Sequence, residues 1–215
     1  MSIPLVLASA SPARLSTLRA ANIDATVLVS GVNEDAVLVQ AHQASTAAGY
    51  GALEAADAVL ALARAKAEDV ARDHQTNALV LGCDSMLEFG DMVVGKPQTV
   101  EIATERWHAM RGKSGVLHTG HWLIDDRDNG TGATLGATAS TTVHFAHLTD
   151  AEIDAYVATR EPLNVAGAFT VDGIGGPYVS AIDGDYHTVV GLSLPLLREL
   201  LAQLDIAIHE LWSSP

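Results

Sequence analysis

Two charged side chains occur where the apolar pattern of the chain calls for buried residues. Asp84 interrupts a largely apolar run over 78–87, and a carboxylate in such surroundings must be paired, bind a metal or titrate with a shifted pKa. Lys66 lies on the apolar stripe of a predicted helix over 52–72. The structural alternatives are an aspartate that caps a turn and a lysine that extends along the stripe to solvent. The functional alternative is a charged cleft beneath the helix.

A second lysine is expected near the same place. Gly90-Asp91 has the composition of a two-residue β-turn, and the register of that hairpin sets Lys96 opposite Ser85, one residue from Asp84. This arrangement is compatible with a plain ion pair. The chain has only three lysines, however, and Lys66 and Lys96 are two of them. Their convergence on one carboxylate favours the charged cleft.

The segment from Ser9 to Arg14, with the sequence SASPAR, follows a predicted strand and opens a predicted helix. Ser11 suits an N-cap, and Pro12 suits the first helical position. Free backbone N–H groups, two hydroxyls and an arginine at a helix start can cradle an anion, although most Ser-Pro helix starts are simple caps. The chain has neither a Walker A sequence nor a complete Gly-x-Gly-x-x-Gly motif.

Histidine and cysteine are not expected to form a reactive site. Paired as a hairpin, His118 could align with His147 and His121 with His144, but the three-residue spacing places the two pairs on opposite faces of the sheet. A four-histidine metal site is therefore not predicted. Cys83 is the single cysteine, which excludes an intramolecular disulfide and a multi-cysteine metal site, and we expect it to be a small buried residue.

Strands and helices alternate along the chain, with hairpins among them, so the sequence predicts a mixed sheet in an α/β or α+β fold. The glycine-rich segment over 172–191 is expected to carry further short strands. Strands are predicted near 3–8, 26–29, 78–81, 86–89, 92–94, 116–124 and 137–147, and helices near 12–21, 52–72, 99–112, 149–159 and from 193 onward.

Composition limits the classes of partner. The 215 residues include 12 Lys+Arg and 26 Asp+Glu, for a formal net charge of −14. This length suits one large domain or two lobes that share a cleft. The negative charge argues against a binder of nucleic acid polymers or anionic membranes, and at first sight against a nucleotide enzyme. Without a basic leader or a long apolar run, the expected location is the cytoplasm.

Taken together, these segments resemble the Maf family of nucleotide pyrophosphatases, also described as septum-formation inhibitors. The segment 7–14 is similar to the opening L-A-S-x-S-P-x-R of the family, and 82–85 to its G-[AS]-D-[TQ]. Any one of the motifs is weak, but their occurrence together and in order is a specific signal. The remaining similar segments are 32–34 (VNE), 63–67 (ARAKA), 95–97 (GKP), 112–120, 166–173 and 184–194.

The resemblance implies one domain over 1–215, with a mixed sheet, flanking helices and two lobes around a central cleft, as in Maf and inosine-triphosphate pyrophosphatase folds. It implies hydrolysis of standard or modified nucleoside triphosphates to the monophosphate and pyrophosphate, aided by Mg²⁺ or Mn²⁺, in a protein that is often a homodimer. Asp84 would activate water and also contact the metal, and Glu34 would help to bind the metal. The phosphates would be held by Ser9, Ser11, Arg14, Lys66 and Lys96.

Three positions depart from the substrate-selecting residues of the family. Where the branch that cleaves dTTP and UTP has Arg, Thr and Gln, and the branch that acts on 7-methyl-GTP has Trp, Gln and Glu, this chain has Ala13, Ser85 and Asp172. A carboxylate only accepts hydrogen bonds from a base, whereas a glutamine also donates, so a pyrimidine preference is not expected. Asn33 replaces the usual aspartate of the V-D-E motif and removes a charge from the expected metal region.

The alternative function is a non-catalytic regulator of cell division that binds a nucleotide or a protein in the same cleft. An enzyme of the inosine-triphosphate pyrophosphatase type is a related possibility, although its usual opening motif is not found here. The net charge of −14 sharpens the enzymatic hypothesis, because a triphosphate approaching an acidic protein is expected to arrive neutralised by a metal.

Overall fold

The computed structural model describes residues 2–90 and 92–213. Within these ranges seven strands form a single sheet, and seven α-helices and four short 3₁₀ segments surround it. The strands are β1 (Leu5–Ala8), β2 (Ala25–Val27), β3 (Leu79–Phe89), β4 (Met92–Val94), β5 (Ser114–Asp125), β6 (Thr134–Phe145) and β7 (Val179–Asp183). The helices are α1 (Pro12–Ala20), α2 (Glu34–Ala47), α3 (Ala55–Asp73), α4 (Val100–Met110), α5 (Asp150–Ala158), α6 (Tyr186–Val190) and α7 (Leu194–Ala202).

The sheet is mixed, which confirms the predicted α/β class. Its strand order is β2-β1-β3-β5-β6-β7, and β4 pairs with β3 outside this path. Strand β1 is parallel to both β2 and β3, whereas the pairs β3–β5, β5–β6 and β6–β7 are antiparallel. The parallel part is built from strand–helix–strand units, and the antiparallel part from long hairpins.

Three hydrophobic clusters pack against the sheet, and the long strand β3 contributes residues to all of them; two of the clusters lie on either side of the cleft. Leu81 of β3 is packed with Leu18 and Leu197, from α1 and α7, in one core. Six residues further along the same strand, Leu87 is packed with Trp107 of α4 in the other core. The cleft between the lobes therefore lies where β3 runs from one core to the other.

A gap in strand pairing opens the sheet at this place. On one side of β3, β1 pairs as far as Gly82, and β4 begins to pair only at Leu87. Residues 83–86, which include Asp84, have no neighbouring strand on that side within the described part of the chain. This gap leaves the backbone and side chains of the segment available to other groups.

Helix α3 packs unusually close to the sheet because glycines face it. A Cβ atom built on Gly82 would lie 2.1 Å from the carbonyl oxygen of Ala63, and one built on Gly120 would lie 2.4 Å from that of Val59. Both distances are far below a normal van der Waals contact. The buried face of α3 is the predicted apolar stripe, so Lys66 is carried on it directly against β3.

The predicted helix starts are confirmed by their capping hydrogen bonds. Ser11, Thr99 and Ser193 each accept a hydrogen bond from a backbone N–H three residues further on, and Thr149 and Glu152 form a complete capping box. These interactions are local in sequence, which is why the pattern of residue types alone indicates them.

Helix α2 was not predicted. Asn33 caps it by accepting a hydrogen bond from the backbone N–H of Ala36 at 3.0 Å, but none of its residues is buried. Without a buried face the helix has no apolar stripe to reveal it in the sequence. The replacement of the usual aspartate by Asn33 keeps the cap, because both side chains supply the accepting oxygen.

Other predictions are only partly confirmed. The two predicted strands over 78–81 and 86–89 are one continuous strand, β3, and the segment over 172–191 contains one strand, β7, with the short helix α6. The hairpin register is confirmed by the pairing of Phe89 with Met92, although Asp91 lies outside the described residues. That ladder ends at Val94, so Lys96 is not paired with Ser85 as predicted.

The suggested alignment of the histidines is wrong. His118 lies opposite Ser140 and His121 opposite Ala137, because the β5–β6 hairpin has a different register. No cluster of three or more residues with His, Cys, Asp or Glu side chains suited to a metal ion is found in the described ranges 2–90 and 92–213. Cys83 is a free, buried thiol as expected, and burial raises its pKa to about 12. Among the helices described, none is long and apolar enough to cross a membrane.

Candidate active site

A cavity of about 550 Å³ occupies the cleft beside the gap in the sheet. This volume is in the usual range for small-molecule sites. The predicted site residues all line it, although they come from six different parts of the chain. They are Ser9, Ser11, Ala13, Arg14, Glu34, Lys66, Asp84, Ser85, Lys96 and Asp172.

At its centre, one lysine bridges two carboxylates. Lys66 Nζ lies 2.5 Å from Asp84 Oδ1 and 2.7 Å from Glu34 Oε1. The side chains of Lys66 and Asp84 are 12% and 13% exposed, whereas that of Glu34 is 55% exposed. Three elements thus converge on one charged group: α3 supplies the cation, β3 the inner carboxylate and the first turn of α2 the outer one.

The basic residues of the cleft lower the pKa of the outer carboxylate, Glu34. Burial alone would raise the pKa of Glu34, but its hydrogen bond with Lys66 and the positive charges of Lys66, Lys96 and Arg14 together lower it below its ordinary value. Glu34 therefore stays ionised at neutral pH, and it can act as an anionic ligand or as a partner of Lys66.

Arg14 occupies the gap in the sheet, where its guanidinium forms hydrogen bonds with uncharged groups. The residue is only 8% exposed, and its Nε donates to the carbonyl oxygen of Gly191 at 2.7 Å. Its Nη1 donates to Ser9 Oγ and to the Cys83 carbonyl oxygen, both at 2.8 Å, and its Nη2 donates to Ser85 Oγ at 3.0 Å. The guanidinium thus donates to the Cys83 carbonyl oxygen, which has no neighbouring strand, among those described, to pair with on that side of β3. It also orients the hydroxyls of Ser9 and Ser85.

The hydrogen bonds of Ser9 determine what it can offer to a ligand. Its Oγ accepts hydrogen bonds from Arg14 Nη1 and, at 3.3 Å, from the backbone N–H of Ser11. Both lone pairs of the hydroxyl are therefore used, and its O–H remains free to donate. Ser11 is similar, since its Oγ accepts the capping bond from the Arg14 backbone at 3.4 Å. Two hydroxyl donors at the start of α1 suit an anionic oxygen.

The hydroxyl of Ser85, in contrast, has no free proton to donate to a ligand. Thr119 Oγ1 donates its only proton to the carbonyl oxygen of Thr188 at 2.9 Å, so the 2.9 Å contact between Ser85 and Thr119 requires Ser85 to be the donor. Ser85 also accepts from Arg14, which leaves one lone pair and no free proton. At this predicted specificity position, the hydroxyl can only accept a hydrogen bond from a substrate.

The segment that follows β4 and carries Lys96 is held by two hydrogen bonds. The carbonyl oxygen of Gly95 accepts hydrogen bonds from Arg106 Nη1 at 2.6 Å and from the backbone N–H of Gly167 at 3.2 Å. Arg106 lies on α4, so the second lobe positions a lysine that reaches the cleft from the segment after β4.

The wall formed by the second lobe is largely apolar. Val165, Phe169 and Val189 contribute apolar surface to the cavity, and Thr170 and Asp172 add polar groups. The cavity therefore has a charged wall, with the donors of α1 and the lysines, and a second wall that suits a flat apolar group.

The donor set fits a hard divalent cation that is shared with a substrate. Glu34 and Asp84 both contact Lys66 Nζ, so their carboxylates lie close to each other. Mg²⁺ is commonly held by one or two carboxylates together with substrate phosphates and waters, rather than by a cage of protein ligands. Three cations and three carboxylates line the cavity, so it supplies no surplus positive charge for a polyphosphate by itself.

A buried histidine supports the same region. His121 accepts a hydrogen bond at Nε2 from the Ser193 backbone N–H at 2.8 Å, and its Nδ1 contacts the Thr119 carbonyl oxygen at 3.0 Å. The ring is therefore neutral with its proton on Nδ1. Burial, together with the charge of Arg14, lowers its pKa from 6.5 to about 4.

This histidine should make the protein less stable in acid. Between pH 6.5 and about 4 the unfolded chain protonates His121 while the folded chain does not, so the free energy of unfolding should fall as pH drops through this window, by up to roughly 3 kcal/mol. Urea unfolding of the wild type and of His121→Gln at pH 7, 5.5 and 4 tests this. We expect the wild type's stability advantage to shrink toward pH 4, and an advantage that does not change with pH would contradict the assignment.

The residue types of several supporting residues do not indicate what these residues do. Thr119 and Arg106 act through other residues of the cavity, and the role of Gly82 depends on the approach of α3. Threonines are common in strands and glycines are common beside turns, so residue type does not distinguish these positions. Only their contacts in the folded chain reveal what they do.

Comparison with known proteins gives consistent matches. Residues 4–204 match the model of a family described as Maf-like protein. A protein of Salinispora tropica named nucleoside triphosphate pyrophosphatase is 55% identical over 97% of this chain and 87% of its own length. Proteins of the same name from Leifsonia xyli and Streptomyces coelicolor are each 51% identical over 97% of this chain and 96% and 94% of their own. A solved dITP/XTP pyrophosphatase of Mycobacterium abscessus aligns over 94% of this chain and 96% of its own, with 10% identity and a TM-score of 0.36, a likeness too weak to inform the site.

Proposed function

The chain belongs to the Maf-like protein family, and from that premise we propose that it is a nucleoside triphosphate pyrophosphatase, which hydrolyses a nucleoside triphosphate to the monophosphate and pyrophosphate. One observation carries the assignment to this cavity: Lys66 joins the partly buried carboxylate of Asp84 to Glu34, opposite the hydroxyl donors of α1. That combination offers both a proton acceptor and anion-binding groups.

The reaction assigns a distinct task to each residue. A water oxygen attacks the α-phosphorus, the bond from that phosphorus to the bridging oxygen breaks, and the electron pair leaves with pyrophosphate. Asp84 accepts the proton of the attacking water. Lys66 and Lys96 neutralise the charge that develops on the phosphoryl oxygens and the leaving group, and Ser9 and Ser11 donate hydrogen bonds to them.

A divalent cation is part of this proposal. Glu34 and Asp84 would hold it, and it would neutralise charge on the triphosphate. The equal numbers of positive and negative side chains in the cavity support this requirement, since the cavity has no cationic surplus. Arg14 holds Ser9 and Ser85 in place and contributes its charge from beneath the site.

A pyrophosphate-release screen tests the proposal. We expect release from at least one standard or modified nucleoside triphosphate in the presence of Mg²⁺ or Mn²⁺, and its loss on addition of a chelator. Restoration by added metal is the control for irreversible damage. Tight nucleotide binding without turnover across the whole panel would contradict the enzymatic assignment and favour a non-catalytic nucleotide-binding regulator.

The resemblance to the family implies further properties that remain predictions. These are a cytoplasmic location, a homodimer and a single domain over the whole chain. Every residue to which we assign a role in the reaction lines the cavity of one chain.

A further inference from the structure

A carboxylate outside the cavity organises one of its walls. Glu161 begins the 3₁₀ segment Glu161–Asn164, and its Oε1 accepts hydrogen bonds from Tyr156 Oη and the Gly175 backbone N–H, each at 3.0 Å. Thr170 Oγ1 donates to the same oxygen at 2.5 Å, and the Ile174 backbone N–H donates to Oε2 at 3.0 Å. Three of these four donors belong to a single loop over 170–175.

The loop packs directly around this carboxylate. A Cβ atom built on Gly173 would lie 2.6 Å from Glu161 Oε2, and one built on Gly175 would lie 2.4 Å from Tyr156 Oη. Neither glycine leaves space for a larger residue, so the backbone of the loop is in direct contact with Glu161 and Tyr156. Burial by itself would raise the pKa of Glu161, but its four hydrogen bonds lower that pKa, and the group remains an anionic acceptor.

The same loop supplies the polar groups of the apolar wall. Thr170 and Asp172 line the cavity, whereas Glu161 does not. Asp172 is exposed to the cavity and to solvent, and its position depends on the loop that carries it. An interaction that holds 170–175 therefore decides where the carboxylate of Asp172 lies relative to Phe169 and Val189.

A nucleotide has one group that suits this wall. Its triphosphate is complementary to the lysines and hydroxyls on the opposite side, and its flat base is complementary to the surface of Val165, Phe169 and Val189. A base laid on that surface would present its polar edge to Asp172, which can only accept hydrogen bonds. The position of Asp172 would then distinguish bases that carry N–H donors from bases that do not.

We propose that Glu161 is a positioning residue that sets base selectivity by holding the loop over 170–175 and with it Asp172. This inference rests on the proposed nucleotide function and deepens it. Glu161 does not line the cavity, and its hydrogen bonds go to Tyr156 and the loop, so its removal should weaken base recognition and leave the chemical step largely intact.

Glu161→Gln tests the proposal, because an amide N–H replaces one accepting oxygen and faces the donors of the loop. With nucleoside triphosphates that differ only in the base, we expect the KM of the preferred nucleotide to rise about tenfold and kcat to change much less. The ratio of kcat/KM between the best and worst base should fall by a similar factor. An unchanged ranking with an unchanged ratio would overturn the proposal.

Two further variants separate positioning from general stability. Glu152→Gln removes a carboxylate that also accepts a backbone hydrogen bond, in the capping box of α5, and should leave base selectivity unchanged. Tyr156→Phe removes the hydroxyl that donates to Glu161 and accepts from the Thr170 backbone N–H at 3.2 Å, and it should reduce selectivity in the same direction but to a smaller extent. Should Glu161→Gln fail to fold, unaltered selectivity in Tyr156→Phe would overturn the proposal.

The outcome is distinguishable from failure of the proposed function. If the wild type turns over no nucleoside triphosphate, the same comparison is made by equilibrium binding of the nucleotides. Base-selective binding that Glu161→Gln reduces would support the positioning role without the enzymatic one. Absence of nucleotide binding to the wild type would overturn both.

Discussion

Asp84→Asn is expected to reduce pyrophosphate release by about 10³-fold, because the amide cannot take the proton of the attacking water. The variant should fold, since Lys66 keeps its contact with Glu34 and the amide still fits between α3 and β3. Its affinity for nucleotide should change less than its rate, because Glu34 still faces the metal and the lysines and hydroxyls still face the phosphates. A loss of rate with retained binding assigns Asp84 to the chemical step rather than to substrate affinity.

The measurement is initial-rate pyrophosphate release at saturating nucleotide and metal, with binding determined separately by calorimetry. Glu88→Gln is the matched control. Glu88 is on the same strand and the same face as Asp84, four residues further along, and it does not line the cavity. Full activity in Asp84→Asn, or an equal loss in Glu88→Gln, would contradict the assigned role.

Gly82→Ala is expected to lower the free energy of unfolding by roughly 3 kcal/mol and to remove most of the activity. The new Cβ would lie 2.1 Å from the Ala63 carbonyl oxygen and 2.9 Å from the Ala67 backbone nitrogen. These are backbone atoms of α3 and cannot rotate away, so the helix must move outward. Lys66 lies between them on that helix and would be displaced from Asp84.

Urea unfolding and pyrophosphate release measure the two effects. Gly31→Ala is the control, because a Cβ at Gly31 meets a single atom, the Asp69 carboxylate oxygen at 4.0 Å, which is ordinary contact. The control should change neither stability nor rate appreciably. Wild-type stability in Gly82→Ala would show that α3 is not held as closely as the glycines imply, and would contradict the dependence of Lys66 on that close approach.

The distribution of charged residues explains how an acidic protein can bind an anionic substrate. The chain carries a net charge of −14, but the three basic residues of the cleft are matched there by three carboxylates. A polyphosphate therefore meets a locally balanced site on an acidic molecule. Its binding should depend on the accompanying metal more strongly than in a site with surplus cations.

Local interactions made part of this molecule predictable from its sequence. Ser11 and Thr149 cap helices through contacts three residues away, and the apolar stripe of α3 has helical periodicity. For the same reason Lys66 and Asp84 stood out, since each is a charge in an apolar pattern. The predicted site residues line one cavity, while their individual roles remain predictions.

The tertiary structure alone decided how these residues meet. The gap between β1 and β4 depends on where two other strands end along β3, and Arg14 fills it by reaching Gly191, 177 residues away in the chain. Helix α2, which brings Glu34 to Lys66, has no buried face that a pattern could reveal. Periodicity reports which face of an element is buried, but not which distant group it contacts. The acceptor-only character of Ser85 and the loop held by Glu161 are therefore properties of the folded chain.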